Sequence, residues 1–341
     1  MPFLKHNDDG SARKALAIPE SWREMEETVR ETVFEARDAA RAGGELRQFY
    51  LDLRTASAEL FKLGDQQNVE YSVPRMGEAY ALWYHMRRVA NAYDALQAFT
   101  AEIRAAFWSS KPWRVLDVGS GTGAVEMALT RWLVDHDAEA ETDPFGTCTV
   151  TCIEPSAEMA AVSRALLDRF ARRLDRDLDV EVHTCALEDW VPENGQEFDL
   201  IVFSTTFDYL TGEARRSMKR TVTELVGRHL TDWGVVLFIV PKGEGSDPQS
   251  KWSFVQELRE ELKIKGGLSW RRRDEAASPL APSDAVQKVV LDARERLYAE
   301  ARALSPPVSL YRCEPASMSE REQPRYCNDV FPFALRLMPK T

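Results

Sequence analysis

The sequence predicts an α/β fold in which helices flank a parallel sheet, and three observations support this prediction. Five short hydrophobic runs between residues 113 and 241 alternate with segments of helical periodicity. A turn with three alternate glycines follows the first run and leads directly into a helical pattern. Residues 1–110, which precede the first run, carry helical patterns. We therefore expect a doubly wound α/β sheet with an N-terminal helical addition.

The turn after the first strand has the features of a nucleotide-binding turn. Gly119, Gly121 and Gly123 permit positive φ and a close approach of a ligand to the backbone. Their G-x-G-x-G spacing departs from the dinucleotide pattern G-x-G-x-x-G, and no phosphate-loop lysine follows. Asp117 inside the turn would repel a pyrophosphate and attract a ligand that carries an ammonium group. An NAD-binding or purely structural strand–helix unit stays open as the alternative.

An acidic residue followed by G-x-G-x-G after strand one resembles the first motif of the class I S-adenosylmethionine-dependent methyltransferases. The resemblance implies a seven-stranded Rossmann-like sheet, with S-adenosyl-L-methionine as the cofactor and S-adenosyl-L-homocysteine as the product. It assigns five residues of the turn to the cofactor: Asp117, Gly119, Ser120, Gly121 and Gly123.

The ends of the next strands supply further cofactor residues. The second strand, Cys148–Ile153, ends at Glu154, which could accept both ribose hydroxyls, and Pro155 follows it. After the third strand, Leu187 could cover the adenine ring. The methyltransferases that this chain resembles often place an aspartate where it has Ala186. The contact to the adenine amino group is therefore assigned to Glu188, to Asp189 or to a backbone carbonyl.

The fourth strand, Phe198–Ser204, leads into the expected acceptor wall, with Ser204 itself placed at the cofactor. The sequence Ser-Thr-Thr-Phe at this point is not the Asn/Asp-Pro-Pro-aromatic tetrad of adenine or glutamine methylating enzymes, so those acceptors are disfavoured. Asp208 could act as a base or orient an acceptor, with Tyr209 beside it, and His183 is the other candidate base. A helix cap, a packed ring and a packed strand histidine are the respective structural alternatives.

Tyr71 and Arg75 lie in a proline-broken segment that we interpret as a ligand lid. The arginine could pair with the carboxylate of the cofactor or with an acidic substrate. This segment also resembles, more distantly, a methyltransferase-like family related to assembly of the small ribosomal subunit. Two features depart from that family: Met-Gly follows Arg75, and the iron–sulfur cysteine cluster is missing.

The expected organisation is an N-terminal helical region, 1–110, that covers the substrate or binds a partner, followed by a methyltransferase domain, 111–341. By analogy, strands six and seven form an antiparallel pair near the C-terminus, with candidates Val308–Arg312 and Phe331–Leu337. A helix over Ser283–Leu304 would belong to an insertion near 245–305.

Composition restricts the partners. The 341 residues carry a net charge of −11, which repels polyanions and disfavours nucleic acid as a substrate. Five cysteines without a C-x-x-C pair, and five histidines without a His-x-x-x-His pair, predict no metal site. Without a signal segment or an apolar stretch of membrane length, we expect a cytoplasmic protein with no membrane contact. A homodimer through the N-terminal helices is kept as an expectation.

The predicted function is methyl transfer to a small-molecule acceptor, in which an O, N or C nucleophile attacks the sulfonium methyl in line. The alternative is a methyltransferase-like binding or assembly factor that acts on a ribosomal or other macromolecular partner.

Overall fold

The computed structural model describes residues 20–62, 68–108, 112–137, 147–174, 178–204, 206–207, 210–240, 251–265, 268–271, 288–310 and 333–339. Within these ranges the chain begins with the helices α1 (Glu20–Ala42), α2 (Leu46–Phe61), α3 (Met76–Tyr80), α4 (Met86–Ala98) and α5 (Thr100–Trp108). A π-helical turn at Ala81–His85 joins α3 to α4.

A mixed sheet follows, with strands β1 (Trp113–Val118), β2 (Cys148–Ile153), β3 (Asp179–His183), β4 (Phe198–Ser204), β5 (Leu230–Val240), β6 (Leu268–Arg271) and β7 (Phe333–Pro339). Their order is β3-β2-β1-β4-β5-β7-β6. The strands β1 to β5 are parallel, whereas β7 pairs antiparallel with β5 and with β6. The helices between and after them are α6 (Ala124–Asp137), α7 (Ala157–Leu174), α8 (Gly212–His229), α9 (Lys251–Lys265) and α10 (Lys288–Ala303).

The α/β, Rossmann-like arrangement and its five parallel strands agree with the prediction from sequence. The strand predicted at Val308–Arg312 is wrong for its described part. There Val308 donates a backbone hydrogen bond to the carbonyl of Ala301, at 3.0 Å, and its side chain is buried beside α10. The strand that pairs with β7 at the sheet edge is β6, which we did not predict. Residues 311–312, 331–332 and 283–287 of the predicted elements lie outside the described residues.

Two apolar cores lie on opposite faces of the sheet. On one face, side chains of α1 to α5 pack together with those of α6, α7, α10 and the strands, for example Met25, Tyr50 and Trp132. On the other face, α8 and α9 cover β4 and β5 through side chains such as Leu225 and Phe254. Because the first core is continuous, the N-terminal helices and the sheet share buried surface rather than standing apart.

Several contacts attach the N-terminal helices to the rest of the chain, and two of them illustrate how. The indole Nε1 of Trp113, the first residue of β1, donates to the carbonyl of Phe107 at 2.6 Å, and the two rings stack at 4.1 Å. The carboxylate of Glu26 in α1 accepts the backbone N–H of Val289 at 2.7 Å. This carboxylate therefore satisfies a free donor at the start of α10.

Searching the described helices finds none that combines the length and the apolar character needed to cross a membrane.

The buried capping carboxyl of Glu26 makes stability depend on pH. Burial raises the pKa of Glu26 to about 7. A raised pKa contributes stability that is complete below the ordinary value of 4.5 and is lost as the pH rises through 7. Glu26→Gln keeps a carbonyl for the N–H of Val289 without a charge. We expect the variant to be more stable than wild type above pH 7, by about 1–2 kcal/mol, with the advantage disappearing toward pH 4.5.

Urea denaturation across this pH range measures the difference. The matched control is Glu45→Gln, at an exposed position before α2, which should leave the pH profile of wild type unchanged. A Glu26→Gln profile parallel to wild type would contradict the assignment.

Candidate functional site

The turn between β1 and α6 holds three glycines in the left-handed region. Gly119, Gly121 and Gly123 have φ values of +71°, +61° and +84°, which L side chains rarely adopt. The backbone N–H of Gly119 and that of Ser120 both donate to the carbonyl of Ile153, at 2.8 and 3.1 Å. The turn is thereby fixed against the end of β2.

Neighbouring side chains press against this turn. A Cβ on Gly119 would lie 2.6 Å from Cγ2 of Thr206, and one on Gly123 would lie 2.8 Å from Oγ of Ser163. Thr206 is itself held by a 2.6 Å hydrogen bond from its hydroxyl to the carbonyl of Val118. The absence of a side chain at these positions is therefore a packing requirement as well as a conformational one.

Glu154 connects the turn to the end of β2. One carboxylate oxygen accepts the N–H of Gly121 at 2.8 Å, and the other accepts the N–H of Ser156 at 2.8 Å. The backbone N–H of Glu154 donates to the carbonyl of His183 at 3.0 Å, which continues the pairing of β2 with β3. An acidic group is thus held in a defined orientation at the carboxyl ends of the strands.

A cleft opens at the carboxyl ends of β1, β2 and β4, where ligands of parallel sheets bind. Its lining combines the turn, the strand ends, residues of α3, α4, α6, α7 and α8, and the segment before α3. The lining residues are Tyr71, Tyr80, Arg88, Val118, Gly119, Ser120, Gly121, Thr122, Ala124, Val125, Ile153, Glu154, Pro155, Met159, Ala186, Leu187, Glu188, Ser204, Thr206, Phe207, Leu210 and Met218.

The structure brings many of the predicted site residues together in this cleft. They are Gly119, Ser120, Gly121, Glu154, Pro155, Leu187, Glu188, Ser204 and Tyr71. Four others do not line it: Asp117, Gly123, Arg75 and His183. Asp208 and Tyr209 lie outside the described residues.

Asp117 is fully buried beneath the turn and does not line the cleft, contrary to the expectation of direct attraction to a ligand. Side chains alternate along a strand, so Asp117 shares the face of Val115, which α6 covers. Among the described residues, no donor reaches either carboxylate oxygen of Asp117. Glu126 of α6 is buried beside it, and the thiol of Cys152 donates to Glu126 at 3.0 Å.

The buried carboxyl groups of Asp117 and Glu126 influence the protonation of each other. Burial, followed by repulsion from Glu126 and Glu154, raises the pKa of Asp117 well above its ordinary range. Burial also raises the pKa of Glu126. Two carboxylates without a buried cation between them favour sharing a proton over carrying two charges.

Arg75 and His183 point elsewhere for identifiable reasons. Arg75 has a left-handed φ of +64° at the start of α3, where its guanidinium pairs with Glu78 at 2.8 Å and lies over the ring of Phe49. The imidazole of His183 stands 3.4 Å from the carboxylate of Glu181, on a strand whose partner lies on one side only. Neither side chain is brought to the cleft.

The polar residues of the cleft that sequence reasoning missed include Tyr80 and Arg88. With Tyr84 they recur every four residues, a spacing that places side chains near one face of a helix. The four-residue spacing could therefore have identified these residues from the sequence. The ring centroids of Tyr80 and Tyr84 are 5.5 Å apart, and Nε of Arg88 donates to the hydroxyl of Tyr80 at 3.2 Å.

The same helical segment supports the turn from behind through His85. Its Nδ1 lies 2.8 Å from the hydroxyl of Thr122, and its Nε2 lies 2.8 Å from the sulfur of Met127. Because sulfur only accepts, Nε2 carries the proton and Nδ1 accepts from Thr122. Burial lowers the pKa of His85 to about 3, so the ring is neutral.

Comparison with known proteins identifies the domain around this cleft. Residues 115–228, which contain the glycine turn, Glu154 and the end of β4, match the family described as "Methyltransferase domain". Residues 115–228 are therefore similar to a methyltransferase domain. The predicted resemblance to the class I S-adenosylmethionine-dependent superfamily is confirmed, and the match supports S-adenosylmethionine as the cofactor.

A curated relative is also similar in sequence. The chain is 29% identical over 181 residues to a malonyl-[acyl-carrier protein] O-methyltransferase of Geobacter sulfurreducens. The alignment covers 49% of this chain and spans 58% of the length of that relative.

Solved structures are similar at a lower level. The plantazolicin methyltransferase BpumL, in complex with a monoazolic desmethylPZN analog and SAH, has a TM-score of 0.37 and 11% identity, covering 83% of this chain and 99% of its own. The YcgJ protein of Bacillus has a TM-score of 0.35 and 14% identity, covering 71% and 100%. The fold assignment rests on the strand order of the methyltransferase domain, not on these scores.

Across the described ranges, no group of three or more His, Cys, Asp or Glu side chains is arranged to hold a metal ion.

The contact between Gly119 and Thr206 predicts that a side chain at position 119 lowers the free energy of unfolding. Gly119→Ala adds left-handed strain and an overlap with Thr206, so we expect a loss of about 2–4 kcal/mol in unfolding free energy. Gly195→Ala is the matched control, because its φ is +77° and nothing lies within 4 Å of an added Cβ. That control should lose only about 1–2 kcal/mol.

Thr206→Ser removes the overlapping methyl but keeps the hydroxyl bonded to Val118. The double variant Gly119→Ala/Thr206→Ser should recover about 1 kcal/mol in chemical denaturation. Equal losses for Gly119→Ala and Gly195→Ala would show that the contact with Thr206 is unimportant.

The buried acid pair predicts a second pH effect in the methyltransferase domain. Raised pKa values contribute stability that is complete below the ordinary carboxyl range and is lost as the pH rises through the raised values. Glu126→Gln removes one of the two ionisable groups. As the pH rises above the ordinary carboxyl range, the variant should therefore lose less unfolding free energy than wild type. Glu224→Gln, at an exposed position of α8, is the control; parallel profiles for all three proteins would refute the coupling.

Proposed function

We propose that the chain is an S-adenosylmethionine-dependent methyltransferase that acts on a small-molecule acceptor by in-line attack of an O, N or C nucleophile. The observation that supports this most directly is the cleft in which the glycine turn, Glu154 and the end of β4 meet. The match of residues 115–228 to the methyltransferase domain family supports it independently.

The residues of the cleft fit this cofactor. Glu154 presents an acceptor at the strand end. Ile153, Met159 and Leu187 form an apolar surface beyond Glu154 that suits an adenine ring. In the proposal, Glu154 accepts the ribose hydroxyls and Glu188 contacts the adenine amino group. The bound cofactor would supply a methyl carbon made electrophilic by the sulfonium.

The remaining part of the cleft is available for an acceptor. Phe207, Leu210 and Met218 contribute apolar surface, and Ser204 and Thr206 lie at the end of β4 next to the glycine turn. These side chains can exclude water and hold the acceptor in place, which is the main requirement for an in-line displacement. The relative from Geobacter is named as an O-methyltransferase. An oxygen acceptor is therefore the first class to test.

Proton transfer in this proposal is assigned to Asp208, with Tyr209 as an orienting group. They follow Ser204, the last residue of β4, by four and five residues in sequence. The position of His183 beside Glu181 gives no support to a role for that residue in the reaction.

The domain division at residue 110, with the preceding helices as a substrate cover, is part of this proposal. So are the homodimer through those helices and a cytoplasmic location.

Cofactor binding tests the proposal. Wild type should bind S-adenosylhomocysteine in calorimetric titration. Glu154→Gln keeps an oxygen for the N–H of Gly121 but loses the charge and one acceptor for the ribose hydroxyls. We therefore expect it to weaken this binding about 10-fold.

Glu181→Ala, at an exposed position of β3, should bind as wild type does. Absence of heat with wild type at high micromolar ligand would overturn the proposed function. Transfer of labelled methyl from S-adenosylmethionine to a panel of hydroxyl, carboxylate and amine acceptors then identifies the acceptor class. Binding without transfer to any small molecule would favour the alternative of a methyltransferase-like binding or assembly factor.

A further inference from the structure

We propose that Arg215 of α8 is a positioning residue for the acceptor. It holds Phe207 and Leu210, which belong to the acceptor part of the cleft, through contacts that also reach α9. The inference rests on the proposed function, because it assigns a role to the support of the expected acceptor wall.

The guanidinium of Arg215 joins α9 to the segment after β4. Its Nη2 and Nε donate to the two carboxylate oxygens of Glu257 in α9, at 2.8 and 3.3 Å, and Nη2 also donates to the hydroxyl of Ser253 at 3.3 Å. Its Nη1 donates to the carbonyl of Leu210 at 3.4 Å. The side chain of Arg215 is only 13% exposed. A planar fork of five donors can make these contacts at once, which a single ammonium cannot do.

A stack of side chains leads from the same guanidinium to a second residue of the cleft. The guanidinium carbon of Arg215 lies 5.0 Å from the ring centre of Phe254, and this ring packs edge-on against Phe207 at 4.8 Å. Both rings are buried, and Phe207 lines the cleft. Closely packed interiors leave little room for independent motion. A displacement of Phe254 would therefore displace Phe207.

These contacts bear on the acceptor rather than on the cofactor. The hydroxyl of Thr206 holds the start of the segment at the carbonyl of Val118, and Arg215 holds its end at Leu210. Asp208, to which the proposed function assigns proton transfer, falls between these anchors in sequence. An in-line displacement requires that the acceptor be held close to the methyl in a defined orientation. The glycine turn and Glu154 are fixed by separate hydrogen bonds at the end of β2.

Lys219 offers a matched control on the same helix. Its ammonium lies 3.9 Å from the carboxylate of Glu257 and 3.2 Å from that of Glu261, so it also joins α8 to α9. Of the two cations, Arg215 is the one with described contacts to Leu210 and Phe254. Removing either cation weakens the attachment of the two helices, but removing Arg215 also releases the acceptor wall.

Steady-state kinetics tests the inference. The KM for S-adenosylmethionine and the KM for the acceptor that the labelled-methyl panel identifies are measured separately. Arg215→Met should raise the KM for the acceptor about 10-fold, while the KM for S-adenosylmethionine and the affinity for S-adenosylhomocysteine stay as in wild type. Arg215→Lys keeps the charge and one group of donors, so it should recover part of the loss. Lys219→Met should keep both KM values of wild type.

A purely structural role of Arg215 gives a different pattern. Loss of folded enzyme lowers kcat and leaves both KM values unchanged. That pattern would overturn the inference, as would an equal rise of both KM values or an equal effect of Lys219→Met. Wild type that binds no S-adenosylhomocysteine, or that transfers methyl to no member of the panel, contradicts the proposed function itself, and the inference then fails with it.

Discussion

The turn from Gly119 to Gly123 must pass three residues through left-handed conformations while three neighbouring segments pack against it. The end of β2 accepts two of its N–H groups, Thr206 after β4 fills the space beside Gly119, and Ser163 of α7 fills that beside Gly123. Each contact exists only because glycine brings no side chain. The cleft, the orientation of Glu154 and the start of α6 all depend on this one turn, because each is defined by a hydrogen bond or packing contact to it.

Charge is arranged around the turn in two layers. Glu154 lies at the cleft with both oxygens engaged by backbone N–H groups. Asp117 and Glu126 lie beneath the turn, where burial favours protonation. The acidic side chain at the strand end therefore lines the cleft, while the acid of the glycine motif acts through the packing beneath. The interpretation of Asp117 as a direct ligand contact neglected the face of β1 on which it lies.

Local patterns made most of this predictable. The five parallel strands, the glycine turn and Glu154 are encoded in short contiguous segments whose periodicity is visible in the sequence. The edge strand β6 has only four residues, which are too few to show a pattern. The alternating apolar residues at Val308 predicted a strand, but Val308 is buried because it packs beside α10. The sequence also could not show whether Arg75 or Arg88 lies in the cleft. Which arginine reaches the cleft depends on how a helical segment crosses the sheet edge, and that is set by contacts far apart in sequence.

The π-helical turn at Ala81–His85 explains how one segment serves both sides of the glycine turn. In a regular α-helix, a residue four positions along is rotated by about 40° from the first, so a row of such residues drifts around the helix. Tyr80, Tyr84 and Arg88 form such a row, yet both Tyr80 and Arg88 line the cleft. The wider π turn between them offsets the drift. The same local geometry directs His85 to Thr122, behind the turn. A rigid helical segment thus connects Thr122 and Arg88, which both line the cleft. Displacing this helix would alter both, which makes the N-terminal helices part of the site.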